Sequence, residues 1–296
     1  MPRLDARERP VSRPGFTGAG LDRADRLRLD PERLAALAAA AEARLLRLAG
    51  LDPVLGEDGR LGWDAVAVDG ELIFLGLDGE TPLFAPLARI EGPAPDARAM
   101  FRILEAMAPA EAALWGTARS LIGWHNRHLF CGACGSPTAS FRAGWGRKCG
   151  GCGTEHFPRV DPVVIMLAEH RGRVLVGRQP QYPAGRYSAL AGFVEPGESV
   201  EEAVVRELAE EAGIAAFDVR YVASQPWPFP GSLMIACIAA ADDDALTLDL
   251  DELEAAFWVT REDVAAALAG DASAPFVAPP RFAIAHTLLE RWLAGA

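Results

Sequence analysis

Apolar positions recur along the chain at two spacings, and the change from one to the other marks its parts. Asp30-Pro31 opens an alanine- and leucine-rich stretch that ends at Gly50. With Asp30 as N-cap, Pro31 at the first helical position and Gly50 as the stop, this stretch predicts one helix. Alternation follows in Trp63–Val68 and Glu71–Leu77, and the Asp69-Gly70 between them predicts a hairpin. A short strand around Leu83–Ala88 and one or two helices over Asp96–Arg127 complete a first α+β region. From Cys131 to Cys152 the periodicity gives way to glycine, cysteine and basic residues. Beyond Phe157-Pro158, strands are predicted at Pro162–Ala168 and Arg173–Gly177 around a turn at Arg171-Gly172. A glycine-punctuated loop, Ala189–Gly197, leads into a helix over Ser199–Ala212. Strands near Val219–Ser224 and Ser232–Ala240, an acidic loop at Asp242–Asp244 and a helix from Pro279 or Pro280 to Leu293 close the chain. Mixed strands around one glycine-rich loop and helix predict an α/β (α+β) catalytic domain.

These transitions divide the 296 residues into a mobile N-terminus (1–20), an α+β domain (21–127), a cysteine-rich module (128–157) and a larger domain (158–296). Half of the residues are apolar and 24% are charged, the balance of a folded globular protein. No apolar run approaches the ~20 residues that span a bilayer. The N-terminus has no apolar core of a secretory signal, and acidic residues interrupt its arginines, so a cytoplasmic protein is expected. Twenty-nine basic against 41 acidic side chains give −12. Such a balance disfavours a protein whose main role is to grip phosphate backbones, but allows an anion held through bound metal ions.

Four of the five cysteines form Cys131-x2-Cys134-x14-Cys149-x2-Cys152. Each Cys-x2-Cys puts two thiolates on one tight knuckle, and two knuckles close a tetrahedral S4 shell around one structural Zn2+ per chain. Redox-active thiol pairs are the alternative, and they leave the surrounding glycines unexplained. Nearby Arg142, Arg147, Lys148 and Arg159, with Phe141, Trp145 and Phe157, could hold single-stranded nucleic acid or form a solvated surface. Cys237 lies in an apolar run and reads as a small buried hydrophobe.

The helix from Ser199 carries Glu207, Glu210 and Glu211 at i, i+3 and i+4. Ser199 and Glu202 form a capping box at its start. Like charges at that spacing repel, so the helix either holds a cation between them, for which oxygen-only donors favour Mg2+ or Mn2+, or presents a solvated acidic face, the simpler reading for the three glutamates alone. The surrounding pattern, Gly192-x5-Glu198-x7-Arg206-Glu207-Leu-x-Glu210-Glu211-x-Gly213-Ile214, resembles without departure the signature of the Nudix hydrolase family. That resemblance implies an α/β/α sandwich and metal-dependent hydrolysis of a nucleoside diphosphate linked to another group. It also implies that Arg206 orients the glutamates and that Glu207, Glu210 and Glu211 bind the metals.

Downstream, Ser224-Gln225-Pro226-Trp227-Pro228-Phe229-Pro230-Gly231-Ser232 resembles the array that marks NADH pyrophosphatases within that family. The prolines stiffen an extended backbone, and Trp227 and Phe229 offer flat faces for a base or a nicotinamide ring. The resemblance includes the zinc ribbon and a further metal-binding glutamate, Glu252. It makes residues 225–232, Ala191 and Phe193, and also Phe157, Arg102 and Ala285, substrate contacts. Gly144 departs from it, standing where a relative has a substrate-contacting glutamate, and Phe157 replaces a tyrosine. Implied in turn are hydrolysis of NADH or NAD+ to nicotinamide mononucleotide and AMP, removal of NAD caps from RNA 5′ ends, and a homodimer. Two alternatives stand beside this reading: a Nudix enzyme for ADP-ribose or dinucleoside polyphosphates, and a nucleic-acid-binding zinc-ribbon protein with an inactive Nudix domain.

Overall fold

The structure is a computed structural model that describes residues 13–66, 70–90 and 97–295. Two compact units divide them: Phe16–Val160 with Pro226–Ser232, and Asp161–Gln225 with Leu233–Ala296 and the described residues up to Gly15.

The first α-helix of the first unit is α1, Pro31–Ala38, whose N-cap Asp30 accepts a hydrogen bond from the Arg33 amide. Short strands follow: β1 (Arg44–Leu46), β2 (Leu48–Ala49), β3 (Asp52–Pro53) and β4 (Trp63–Ala65). Longer β5 (Leu72–Asp78) and β6 (Thr81–Pro86) complete a sheet in the order β4-β1-β6-β5. Helices α2 (Ala97–Ala106) and α3 (Pro109–Arg127) come next, then the three ribbon strands β7 (Thr138–Phe141), β8 (Gly146–Cys149) and β9 (Glu155–His156). Trp115, Ala118, Ile122 and His125 of α3 share one buried stripe.

Three expectations change here. The first helix stops at Ala38 instead of reaching Gly50, because Arg44–Leu46 pairs with both β4 and β6. Sheet pairing there outweighs the helix preference of the leucines. The hairpin lies one Asp-Gly further on: Asp78 pairs with Thr81 across Gly79, which takes φ +60°, whereas β4 pairs with β1. Asp69, in the expected turn, lies outside the described residues, as do residues 1–12 of the segment expected to be mobile. Within the rest of that segment Phe16 is buried.

The second unit is a sandwich. Its sheet contains β10 (Asp161–His170), β11 (Arg173–Arg178), β12 (Leu190–Phe193), β13 (Ala216–Trp227), β14 (Ser232–Ala241) and β15 (Ala255–Val259). The order is β13-β14-β10-β11-β15, with β12 antiparallel to β10. Helix α4 (Val200–Ala212) covers one face, and α5 (Arg261–Ala269) and α6 (Ile284–Leu293) cover the other. Alternation assigns the faces: Val164, Met166, Leu175 and Cys237 pack with Val204 and Leu208 of α4. Ile165, Leu167, Val174 and Ile238 pack with Leu288 and Trp292 of α6. Cys237 is fully buried in this layer, and burial pushes its thiol up to about 11. The short elements β15 and α5 were not legible in the apolar pattern. Helix α6 starts four residues after Pro280, at Ile284, for a reason that lies in Gln225 (below).

Candidate active site

Strand β12 delivers Gly192 and Phe193 to the start of α4, and Ser199 fixes where the helix begins. Its hydroxyl accepts from the Glu202 amide while the Glu202 carboxylate accepts from its own amide, the expected capping box. Gly213, at φ +71°, ends the helix. Between them, Glu207 and Glu211 fall on the buried side, 8% and 2% exposed, while Glu210 points outward. The three carboxylates therefore do not share one face equally.

Arg206 organises them. Its five N–H groups are all engaged: a bidentate pair to Glu198 at 2.6 and 2.9 Å, and single bonds to Glu207 (2.9 Å), Glu210 (2.8 Å) and the Phe193 carbonyl (2.9 Å). The hydrogen bonds from Arg206 hold the Glu198 carboxyl down at about 2. Glu198, a fixed position of the signature, is the principal partner that holds Arg206. Gly192 is needed because a Cβ there would run into the Glu207 carboxylate.

Glu211 lies outside this network. Burial first, then the charges of Glu207, Glu252, Asp249 and Glu210, raise its carboxyl to about 8. Burial raises Glu207 as well, against the pull of Arg206. Glu211 Oε2 is buried and has no hydrogen-bond partner among the described residues. A single guanidinium among this many carboxylates leaves excess negative charge, and the donors are all oxygens. Such a set fits a divalent cation, with Glu207, Glu210, Glu211 and Glu252 as the residues that would hold it.

The ribbon has a second donor set. Among the described residues, the four cysteine sulfurs are the one group of three or more candidate ligands whose atoms lie together, all within 4.8 Å. Cys131–Cys152 and Cys134–Cys149 are 3.7 and 3.4 Å apart. Tetrahedral Zn–S bonds of about 2.3 Å imply sulfur–sulfur edges of about 3.8 Å. Backbone amides of Ala133 and Gly151 point at Cys131 and Cys149, and Gly135 and Gly153 take positive φ to close the two knuckles. Hydrogen bonding from Thr154 holds the Cys152 thiol down at about 6, which favours the thiolate. These residues suit zinc.

The ribbon's basic residues are less available than their sequence suggests. Arg147 is buried, donating to both oxygens of Thr138 and to His125 Nδ1. Lys148 pairs with Glu155, and Arg142 with Asp25. Gly144 is buried at φ +84°, and a Cβ would lie 2.8 Å from Ile73, so the position has no room for a substrate-reaching side chain.

The expected substrate contacts fall into different surroundings. Ala191 lines a small cavity with Glu211, and Phe193 is 61% exposed. Phe157 is exposed on the ribbon beside Phe141 and Arg142, and Arg102 is exposed on α2. In the first unit Trp227 and Phe229 are half-buried in an aromatic cluster with Phe16 and Trp115. There the Arg119 guanidinium sits 4.6 Å from the Phe229 ring centre and donates to the Pro228 carbonyl. Pro228 and Ser232 are buried, and Pro226, Pro230 and Gly231 keep exposed surface.

Two of the expected contacts are buried. Ala285 packs in the α6 core layer at 3% exposure and has almost no surface to offer. The Gln225 side chain is fully buried, donating to the carbonyls of Gly15 and Phe282 and accepting from the Ile284 amide. Gln225 is thus the cap of α6, which has no cap from its own N-cap residue.

The chain matches the NUDIX domain over residues 158–278 and the NADH pyrophosphatase zinc ribbon domain over residues 126–157. It is 40% identical over 303 residues to the NAD-capped RNA hydrolase NudC of Mycobacterium bovis (strain BCG / Pasteur 1173P2), with 95% of both chains covered. It is 38% identical over 260 residues to the NAD-capped RNA hydrolase NUDT12 of Homo sapiens and of Macaca fascicularis. That match takes in 84% of this chain and 54% of each relative, so the chain spans about half the length of those proteins. With the signature helix, its arginine fan and the cysteine knuckles all formed, the chain belongs to the Nudix hydrolase family, on the branch that carries the NADH pyrophosphatase zinc ribbon.

Proposed function

We propose that this protein hydrolyses the diphosphate bond of NADH or NAD+, giving nicotinamide mononucleotide and AMP, and accepts the same dinucleotide as the cap of an RNA 5′ end. The observation that carries the reading is the match over 95% of both chains to a relative named NAD-capped RNA hydrolase. A water oxygen bonds to one phosphorus, the bridging P–O bond breaks, and the leaving phosphate oxygen takes up the proton. A divalent cation, Mg2+ or Mn2+, held by Glu207, Glu210, Glu211 and Glu252 would neutralise charge on the phosphate oxygens and lower the pKa of the attacking water. Arg206 keeps Glu207 and Glu210 oriented through its fan, and Glu198 keeps Arg206 in place. Burial leaves Glu211 Oε2 free to bind a cation. By the resemblance to that family the working unit is a homodimer, and the N-terminal sequence, without a secretory signal's apolar core, supports a cytoplasmic location; among the described residues no helix is long and apolar enough to cross a membrane.

Initial rates on NADH, NAD+, ADP-ribose and NAD-capped RNA, in Mg2+ and in Mn2+, test the substrate. NAD-containing substrates should lead; a lead for ADP-ribose would favour the other Nudix reading, and no turnover would favour the inactive one. Phe229→Ala sharpens the test. Loss of one stacking ring should lower kcat/KM on NADH by roughly 5- to 150-fold, equivalent to ~1–3 kcal/mol, and less on ADP-ribose. Because Phe229 also packs against Trp115 and Arg119, the melting temperature should fall as well. The ratio of the two losses decides, and equal losses would make the segment a brace alone.

The ribbon should hold one zinc per chain, separate from the metal that supports turnover. Metal analysis after purification without added zinc checks this, and under half an equivalent in folded protein would contradict it. Cys134→Ser should lower stability before it lowers turnover per folded molecule.

A further inference from the structure

One guanidinium ties together the two chain segments that flank the buried carboxylates. Arg178 ends β11, and its side chain is 13% exposed. Its Nε donates to Glu254 Oε2 at 2.9 Å, on the turn before β15. Its Nη1 donates to the carbonyl of Pro183 at 2.5 Å and, more weakly, to that of Arg186 at 3.5 Å. Its Nη2 donates to the carbonyl of Tyr182 at 2.9 Å. The backbone adds a further link, with the Arg178 carbonyl accepting from the Glu254 amide at 2.8 Å.

Both segments reach the carboxylate cluster. On the loop between β11 and β12, Gln179 and Tyr182 line a cavity of about 20 Å3 against Glu211, with Ala191 and Leu253. That is room for one water, beside a carboxylate oxygen with no partner among the described residues. On the other side, the turn from Asp249 to Glu254 hangs from the end of α4 through Asp249 N–H to the Glu211 carbonyl, 3.0 Å. It is closed by Leu253 N–H to the Asp249 carbonyl, 2.9 Å, and carries Glu252. Glu252 acts electrostatically on both Glu207 and Glu211, and like charges would drive this turn outward unless something held it.

We propose that Arg178 is a positioning residue for the metal site: it holds loop 179–186 against Glu211 and turn 249–254 beside the buried carboxylates, so that Glu252 would be available to a cation held at Glu207 and Glu211. The inference rests on the divalent-cation reading above, and Arg178 acts through the two segments without touching the cation. A lysine cannot replace it, because a single ammonium lacks the planar fork that reaches a carboxylate and separate carbonyls at once.

Direct Mn2+ binding to the full chain, read by electron paramagnetic resonance, tests this alongside thermal melting and hydrogen exchange. Arg178→Met should weaken Mn2+ binding about tenfold, the size expected when the support of a ligating carboxylate is lost. Arg178→Lys should weaken it nearly as much. Glu254→Gln should change it less than threefold, because the carbonyl bonds persist. In Arg178→Met, exchange should quicken at 179–186 and 249–254 together while α4 stays protected. Mn2+ binding within twofold of wild type by folded Arg178→Met, whatever its melting temperature, would make Arg178 a brace for the fold only. Should that variant fail to fold, the same twofold criterion applied to Arg178→Lys decides. A wild type that binds no Mn2+ removes the cation reading and this inference with it; binding that is equal in wild type and variant removes this inference alone.

Discussion

Glu207→Gln should lower kcat by at least ~10²-fold, about 2.7 kcal/mol of barrier, without loss of the fold. The amide keeps the shape that fits against Gly192 and leaves one oxygen for the Arg206 bond, but removes a charge from the cluster. Burial and neighbouring carboxylates already oppose ionisation of Glu207, so the substitution should leave the melting temperature of the metal-free protein unchanged or raised. Turnover measured across a Mg2+ titration, with melting curves on the same preparations, separates the two effects. Activity within threefold of wild type at saturating Mg2+ would mean that Glu207 is not a metal ligand.

The second large effect is expected at Gln225, on stability. Gln225→Leu fills similar volume but strands the Gly15 carbonyl and the Ile284 amide; the Phe282 carbonyl keeps its bond from Gly15. Each of the two stranded buried groups costs about 1–3 kcal/mol, so about 2–6 kcal/mol in total. For a unit of this size that corresponds to a fall of roughly 5–15 °C in melting temperature. Gln225→Glu restores the acceptor for Ile284 but not the two donors, and should fall between. The KM for NADH of the folded protein should stay within threefold. A tenfold rise in KM with unchanged melting would place Gln225 among the substrate contacts.

Much of the site was legible because its parts are local. The spacing of Glu207, Glu210 and Glu211 around Arg206, the Ser199–Glu202 capping box and the Cys-x2-Cys knuckles each lie within a few turns of backbone. Residue type and helical or knuckle geometry therefore determine them before any long-range contact forms. The α/β class of the second unit was legible for a related reason: its strands show apolar runs, as in 162–168, around one glycine-rich loop and helix, whereas the sandwich itself was implied by the family resemblance.

What the sequence by itself could not decide depends on which distant segments meet. Arg44–Leu46 belongs to a strand because two others flank it, though its composition favours helix. Gln225, in a segment shaped like a binding array, turned inward because the first amide of α6 and two carbonyls needed buried partners. Glu207 and Glu211 became buried while Glu210 stayed exposed, a difference set by how α4 packs on its sheet. Arg178 and Glu254 are 76 residues apart, and no periodicity connects them. Hydrogen-bond satisfaction and burial are properties of the closed fold, so local pattern determines which residues carry the chemistry, and tertiary packing determines what each carboxylate and amide is free to do.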